Sequence, residues 1–309
     1  MSWQGGREHT AAMKGHFMSG WSTHDIPDQT GRTFIVTGAN SGLGAETTKA
    51  LVDAGAEVIM ACRNIAKADD VARGLGDRVR VAALDLADLA SVRAFADGIG
   101  SADVLINNAG VMALPLRRTA DGFEMQMGTN HLGHFALTGL LLPKISDRVV
   151  TLSSGLHQLG RIDLADLDWR NRRYRRWRAY GDSKMANLMF GMDLADRFDA
   201  ADGDGRLSLI AHPGYAATEL QGHTESLMDS AMKVGNLFAQ SAADGALPTL
   251  YAATAPDVVN GTFYGPSRLF GMRGEPGVSA FSGRANNRAI RDGLWAESEK
   301  LTGVSYPLC

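Results

Sequence analysis

Short apolar runs recur along this chain, separated by stretches whose apolar positions return every three or four residues. Phe34-Ile35-Val36 is a compact run suited to a strand buried on both faces, and residues 45–54 behind it have helical spacing. Residues 57–61 predict a second strand, a polar helix begins near Ala66, and residues 78–84 predict a third strand. Charged and apolar positions mix over 88–99 as on a surface helix, before a fourth strand at 103–106. Residues 121–142 read as a long helix or a closely connected pair, stopped by Pro143. A fifth strand at 148–152, a helix at 182–197, a sixth strand at 207–211 and a short final strand at 262–264 complete the pattern. Strand and helix alternate, which predicts an α/β fold: a doubly wound, mostly parallel sheet with helices on both faces. Ligands gather at the carboxyl ends of such strands. Residues 215–245 are small, polar and methionine-bearing, and predict a small substrate-side lid or ordinary connecting structure.

The loops at those strand ends carry the chemistry. Thr37-Gly38-Ala39-Asn40-Ser41-Gly42-Leu43-Gly44 links the first strand to the first helix. Its glycines let the chain turn without a Cβ clash and bring backbone N–H groups to a pyrophosphate at the helix start, as in a Rossmann-type nucleotide cradle. In a chain with 36 glycines the G-x-x-x-G-x-G spacing alone is weak, and the strand before and helix after it supply the specificity. Asn107-Asn108-Ala109-Gly110 follows strand four, Ser153-Ser154-Gly155 follows strand five, and His212-Pro213-Gly214 follows strand six.

Composition narrows the field without choosing the chemistry. The 309 residues, 45% of them hydrophobic, suffice for a sizeable core. With 31 basic and 34 acidic residues the formal charge is -3, so the whole molecule has no field for attracting nucleic acid. Cys62 and Cys309 are far apart and make no metal spacing, which fits a reducing cytoplasmic setting. No run of about twenty apolar residues predicts a membrane-spanning helix. We expect residues 1–29 to be an N-terminal extension and packing arm anchored by Trp21 and Ile26, and 30–309 to be one domain with an insertion near 160–178.

Tyr180-Gly181-Asp182-Ser183-Lys184 places a phenol and an ammonium one helical turn apart. Such a pair is common on helix surfaces, but beside a nucleotide cradle it becomes a proton-transfer group. The ammonium predicts a Tyr180 pKa below the ordinary value of about 10.

Taken together, these segments resemble the short-chain dehydrogenase/reductase family over residues 30–266. The match comprises the loop from Thr37 to Gly44, Asn107 to Gly110, the Tyr-x-x-x-Lys pair of Tyr180 and Lys184, and Pro213-Gly214. Thr129-Asn130-His131-Leu132-Gly133-His134-Phe135 and the residues around Tyr180 resemble retinol-dehydrogenase-like members and related bacterial reductases in particular. The resemblance implies an oxidoreductase that interconverts an alcohol and a carbonyl, on a lipophilic substrate. It implies catalytic roles for four residues. Tyr180 exchanges the proton, Ser154 (with Ser153 as the neighbouring alternative) orients the substrate oxygen, Lys184 contacts the cofactor ribose, and Asn130 has a structural and proton-relay role. It also implies cofactor contacts at Gly38, Asn40, Ser41, Gly42, Leu43, Gly44, Asp85, Leu86, Asn108, Ala109, Gly110, Pro213, Gly214 and Thr218.

Cofactor choice has its own signal. An acidic residue after strand two would accept the adenosine ribose hydroxyls of NAD, whereas this chain offers Cys62-Arg63-Asn64. Arg63 pairs with a ribose phosphate, which predicts NADP, with NAD as the alternative. The segment from Trp169 to Arg178 is basic and aromatic, and is expected to be a folded insertion, a peripheral membrane contact or an anionic-partner surface. His157 stands near Ser154 in sequence, and Phe135, Leu156, Tyr215 and Met228 are candidate pocket walls or core. The histidines make no metal signature. Other readings are an epimerase or dehydratase using the same cradle, and a nucleotide-sensing interaction protein; helices on exposed sheet faces leave a homo-oligomer open.

Overall fold

The computed structural model describes residues 20–201, 205–214, 241–269 and 271–308. Thr218, Tyr215, His223, Met228, Cys309 and nearly all of the expected lid lie outside the described residues, as do residues 1–19.

Eight strands form one sheet in the order β3-β2-β1-β4-β5-β6-β7-β8. They are β1 (Thr33–Thr37), β2 (Glu57–Cys62), β3 (Val79–Ala83), β4 (Ala102–Asn107), β5 (Ile145–Leu152), β6 (Leu207–Ala211), β7 (Phe263–Arg268) and β8 (Arg273–Val278). All neighbours pair in parallel except β7 and β8. The main helices are α1 (Gly42–Asp53), α2 (Ile65–Arg73), α3 (Leu89–Asp97), α4 (Gly133–Leu141), α5 (Arg176–Ala200), α6 (Ala242–Thr254) and α7 (Arg288–Thr302). Among the described residues, no helix is long and apolar enough to cross a membrane.

The apolar runs become central strands because both sheet faces are covered. Phe34 and Val36 enter one core with Met60, Ile106 and Leu250, while Ile35, between them, enters the other with Leu105, Phe95 and Phe190. Successive side chains point to opposite faces, so burying both favours an unbroken apolar run over an alternating one. Trp21 packs edge-on against Tyr251 of α6 at 5.3 Å between ring centres. Phe135, a candidate pocket wall, is instead core: it packs between Phe190, Trp295 and Tyr306.

Chain order reverses between β1 and β4, and the two diverging crossovers open a crevice at the strands' carboxyl ends. Two departures from the sequence expectation matter. The stretch 121–142 is broken: a short turn at Met125–Met127 runs into a π-helical segment, Gly128–Leu132, before α4. The final strand is a hairpin, since β7 is followed by antiparallel β8. Gly274, Pro276 and Gly277 disguise β8 in the sequence; an edge strand tolerates proline because one side of its backbone needs no partner.

Candidate active site

The cradle is shaped by the side chains it lacks. Gly38 has φ +65°, and a Cβ there would lie 2.9 Å from the Ala109 Cβ. On Gly44 a Cβ would lie 2.4 Å from the Gly38 carbonyl oxygen and 2.6 Å from Asn108 Nδ2. Only glycine allows β1, the start of α1 and the loop after β4 to meet this closely. Asn108 fastens that meeting through Nδ2, which donates to the Thr37 carbonyl at 2.7 Å. Ser41 occupies the cap position of α1 without a side-chain cap bond, leaving the first-turn N–H groups available to an anion.

A cavity of about 460 Å³ lies over this cradle. Gly38, Asn40, Ser41, Gly42, Leu43 and Gly44 line its floor. Arg63, Asn64 and Lys67 form the rim beyond β2, with Asp85 and Leu86 beside them after β3. Asp85 Oδ1 also accepts the Ala87 N–H at 2.9 Å, so part of that carboxylate is spent on its own turn. Asn108, Ala109 and Gly110 carry the wall onward to Val111, Met112 and Leu114, three lining residues outside the sequence motifs. Pro213 and Gly214 follow β6; Gly214 has φ +66°, and its N–H donates to His212 Nδ1 at 3.2 Å.

Tyr180, Lys184 and Asn130 converge at the inner end of that wall. A Cβ on Gly110 would stand 3.2 Å from Asn130 Oδ1 and 3.5 Å from Lys184 Nζ. Ser154 and Ser153 part company there. Ser153 is buried and donates to the Lys184 carbonyl at 2.8 Å, tying β5 to α5. The Ser154 hydroxyl instead acts on the Tyr180 phenol, drawing its proton affinity down, and accepts the Leu156 N–H at 3.2 Å. Of the two serines, Ser154 is therefore the one on the phenol's side. His157 supports it from behind: Nδ1 donates to the Ser154 carbonyl at 2.6 Å, and Nε2 accepts the Ser282 N–H at 3.1 Å.

The direction of the Tyr180 shift reverses the sequence expectation. Burial pushes the phenol up to about 12, against the downward pull of the Ser154 bond. Burial also pushes Lys184 down to about 8. Its Nζ donates to the Leu152 carbonyl at 3.1 Å and stands 5.9 Å from the Tyr180 ring centre. Desolvation thus outweighs the ammonium in setting the phenol's protonation, and the site holds a neutral acid beside a cation. Asn130 is held by its side chain. Both its amide hydrogens are engaged, with the Val111 carbonyl and Ser183 Oγ, each at 2.9 Å.

A family model described as short chain dehydrogenase matches residues 32–227. The chain belongs to the short-chain dehydrogenase family. Retinol dehydrogenase 13 of Homo sapiens is 39% identical over 297 residues, 90% of this chain and 86% of that protein. Polyprenol dehydrogenase of Mus musculus is 37% identical over 299 residues, with 90% and 86% covered. A crystal structure of an uncharacterised protein from Mycobacterium paratuberculosis is 49% identical with a TM-score of 0.82, covering 94% of this chain and 100% of that one. This short-chain dehydrogenase is accordingly an oxidoreductase of a family that works with a nicotinamide dinucleotide.

The basic insertion is a folded part of this short-chain dehydrogenase, and Arg170, Arg172 and Arg178, three of its six arginines between Trp169 and Arg178, are paired with carboxylates. Arg170 and Arg118 pair with Asp168 at 2.7 and 3.0 Å, and Arg178 pairs with the buried Asp182 at 2.8 Å. Arg172 reaches Asp182 at 3.3 Å and lies 3.7 Å from the centre of the Trp169 ring. Trp169 is 4% exposed, and Tyr174 donates inward to the buried Glu124 at 2.9 Å. Trp169 and Tyr174 are thus spent on packing, while Trp177 is half-buried. Tyr174 Oη also bonds the Leu114 carbonyl, so the insertion supports the cavity wall.

Proposed function

We propose that this chain is an NADP-dependent oxidoreductase that interconverts an alcohol and a carbonyl on a small lipophilic substrate. The reading is carried by one juxtaposition: Tyr180, its phenol drawn down by the Ser154 hydroxyl, on the helix whose Lys184 Nζ stands against Gly110 in the wall of a cavity whose cradle excludes side chains. The cradle fits a dinucleotide, since added Cβ atoms would close it and the start of α1 offers N–H groups to a pyrophosphate. When bound, the dinucleotide supplies or accepts the hydride.

The protein's own groups divide the remaining work. In carbonyl reduction Ser154 donates a hydrogen bond to the substrate oxygen, and Tyr180 gives up its proton as negative charge develops there. Lys184 holds a cofactor ribose hydroxyl and stabilises the tyrosinate left behind. Asn130 holds Val111, and hence the wall beside the reacting carbon. In the reverse direction Tyr180 must first lose its proton, which its burial opposes.

Arg63, Asn64 and Lys67 at the adenosine end, with no acid following β2, support NADP over NAD. Met112 and Leu114 on the wall, and relatives named for retinol and polyprenol, support a lipophilic substrate. The test is oxidation of NADPH by the purified chain with a series of aldehydes of increasing apolar length, beside Tyr180→Phe and Lys184→Ala. Turnover that rises with apolar length and collapses in Tyr180→Phe is expected. Equal turnover in the wild type and Tyr180→Phe would refute the assignment.

A further inference from the structure

His134 lies on α4, is 1% exposed and has no place in the chemistry described so far. Its two ring nitrogens face different elements: Nε2 is 2.9 Å from Thr37 Oγ1 at the end of β1, and Nδ1 is 3.0 Å from the Asn130 carbonyl oxygen in the π-helical segment. A carbonyl oxygen only accepts, so Nδ1 must carry the hydrogen. Nε2 is then a lone pair, and the Thr37 hydroxyl must donate to it. Thr37 Oγ1 can do so because its acceptor capacity is filled elsewhere, by the Asn108 and Ala109 N–H groups at 2.9 Å each. The competing acceptor for its hydrogen, the Ile106 carbonyl, is farther away at 3.4 Å.

A second run starts from the side chain of the same Asn130. Asn130 Nδ2 donates to Ser183 Oγ at 2.9 Å, and the Ser183 hydroxyl donates to the Tyr180 carbonyl at 2.8 Å. Two runs of bonds therefore meet at Asn130: one from Asn108 and Ala109 through Thr37 and His134 to its main-chain carbonyl, the other from its side-chain amide through Ser183 to the carbonyl of the residue bearing the phenol. Within each run a bond polarises the next, and with every partner present the two runs fix the position of the residue that joins them.

We infer that His134, as its neutral Nδ1–H tautomer, is a positioning residue that couples the nucleotide cradle to the helix carrying Tyr180. Burial supports the neutral form, pushing the imidazole down to about 3. A nucleotide that orders the loop after β4 sharpens the geometry of Thr37, and His134 passes that order to Asn130 and α5. The kinetic consequence rests on the oxidoreductase reading; the bonding pattern and the coupling do not.

The experiment compares the wild type with His134→Phe, which keeps ring bulk and removes both bonds, and with His134→Asn, whose amide keeps a donor on the Nδ1 side. Long-range nitrogen–proton NMR on histidine-labelled wild-type protein is expected to show a protonated Nδ1 and bare Nε2. With labelled tyrosine, NADPH is expected to shift the Tyr180 resonance in the wild type and in His134→Asn. That response should be lost in His134→Phe although NADPH still binds. Kcat should fall about tenfold in His134→Phe with a smaller change in the NADPH KM, as expected of a sub-ångström misplacement, and recover in His134→Asn. A protonated Nε2, or a Tyr180 response retained in His134→Phe, overturns the inference. If His134→Phe does not fold, the comparison is made between His134→Asn and His134→Gln, which reaches Thr37 but presents no donor on the Nδ1 side; equal Tyr180 responses then overturn it. Absence of turnover in the wild type would instead count against the oxidoreductase reading, leaving both NMR results to judge the coupling.

Discussion

The nucleotide cradle and the reaction corner meet at Gly110, which lines the cavity and has Asn130 and Lys184 against it, yet they are built by opposite means. The cradle is local, a single strand-loop-helix passage in which Gly38 and Gly44 work by having no side chain. The corner is assembled from separate elements, with Ser154 after β5, Asn130 in the π-helical segment, and Tyr180 and Lys184 on α5. Asn130, Tyr180 and Lys184 are polar or charged and nearly dry, and the proton affinities of Tyr180 and Lys184 are set by burial more than by their neighbours. Steric changes should therefore break the first, and changes of charge or proton should break the second.

The largest expected effect is in the corner. Tyr180→Phe should lower kcat by about 10²–10⁴-fold, the usual worth of a positioned proton donor, while a fluorescence titration finds NADPH affinity little changed. Ser154→Ala should cost about 10²–10³-fold in kcat, read in the same assay, because one donor to the developing oxyanion is lost. In the cradle the order of effects inverts: Gly44→Val should abolish nucleotide binding by calorimetry, since even the first added carbon meets the Gly38 carbonyl at 2.4 Å. Arg63→Asp should move preference from NADPH toward NADH by about 10–100-fold in kcat/KM, the scale of a charge-assisted hydrogen bond.

Protonation sharpens the contrast. Reduction measured as kcat/KM should fall as pH rises through about 8, where Lys184 loses its proton, while oxidation of the matching alcohol should gain as alkali favours the tyrosinate. Folding stability should respond on the acid side. His131, His134 and His212 are held by burial at about 4, 3 and 4, below the ordinary 6.5. The unfolded chain takes up these protons first, so their contribution is complete above pH 6.5 and is lost progressively as pH falls toward 3. A urea series at several pH values checks this; stability that is level between pH 6.5 and 4 would contradict the neutral, buried assignments.

Much of the central sheet was legible because a parallel strand covered on both faces must be apolar at every position, as in β1, and because helices between such strands leave few alternatives. The glycine loop was legible for a related reason: its function is a backbone conformation, and backbone conformation is written in local residue type. The β8 edge and the break at Gly128–Leu132 were not, since proline and glycine in an edge strand look like loop and a π-turn leaves no periodic mark. The arginines of the insertion looked like available charge because their partners, Asp166, Asp168 and Asp182, gain meaning only when the chain folds back on them.

The amino-acid sequence alone determined the order of the first six strands, the position of the cradle and the identities of the groups that follow the strand ends. Tertiary structure decided their state: that Ser154 meets the phenol while Ser153 binds the backbone, that Tyr180 stays protonated beside a lysine, and that His134 presents its Nδ1 hydrogen to Asn130. The division has one cause. Backbone form follows from neighbouring residues, whereas solvation and hydrogen-bond direction depend on atoms that are distant along the chain and adjacent only in the folded molecule.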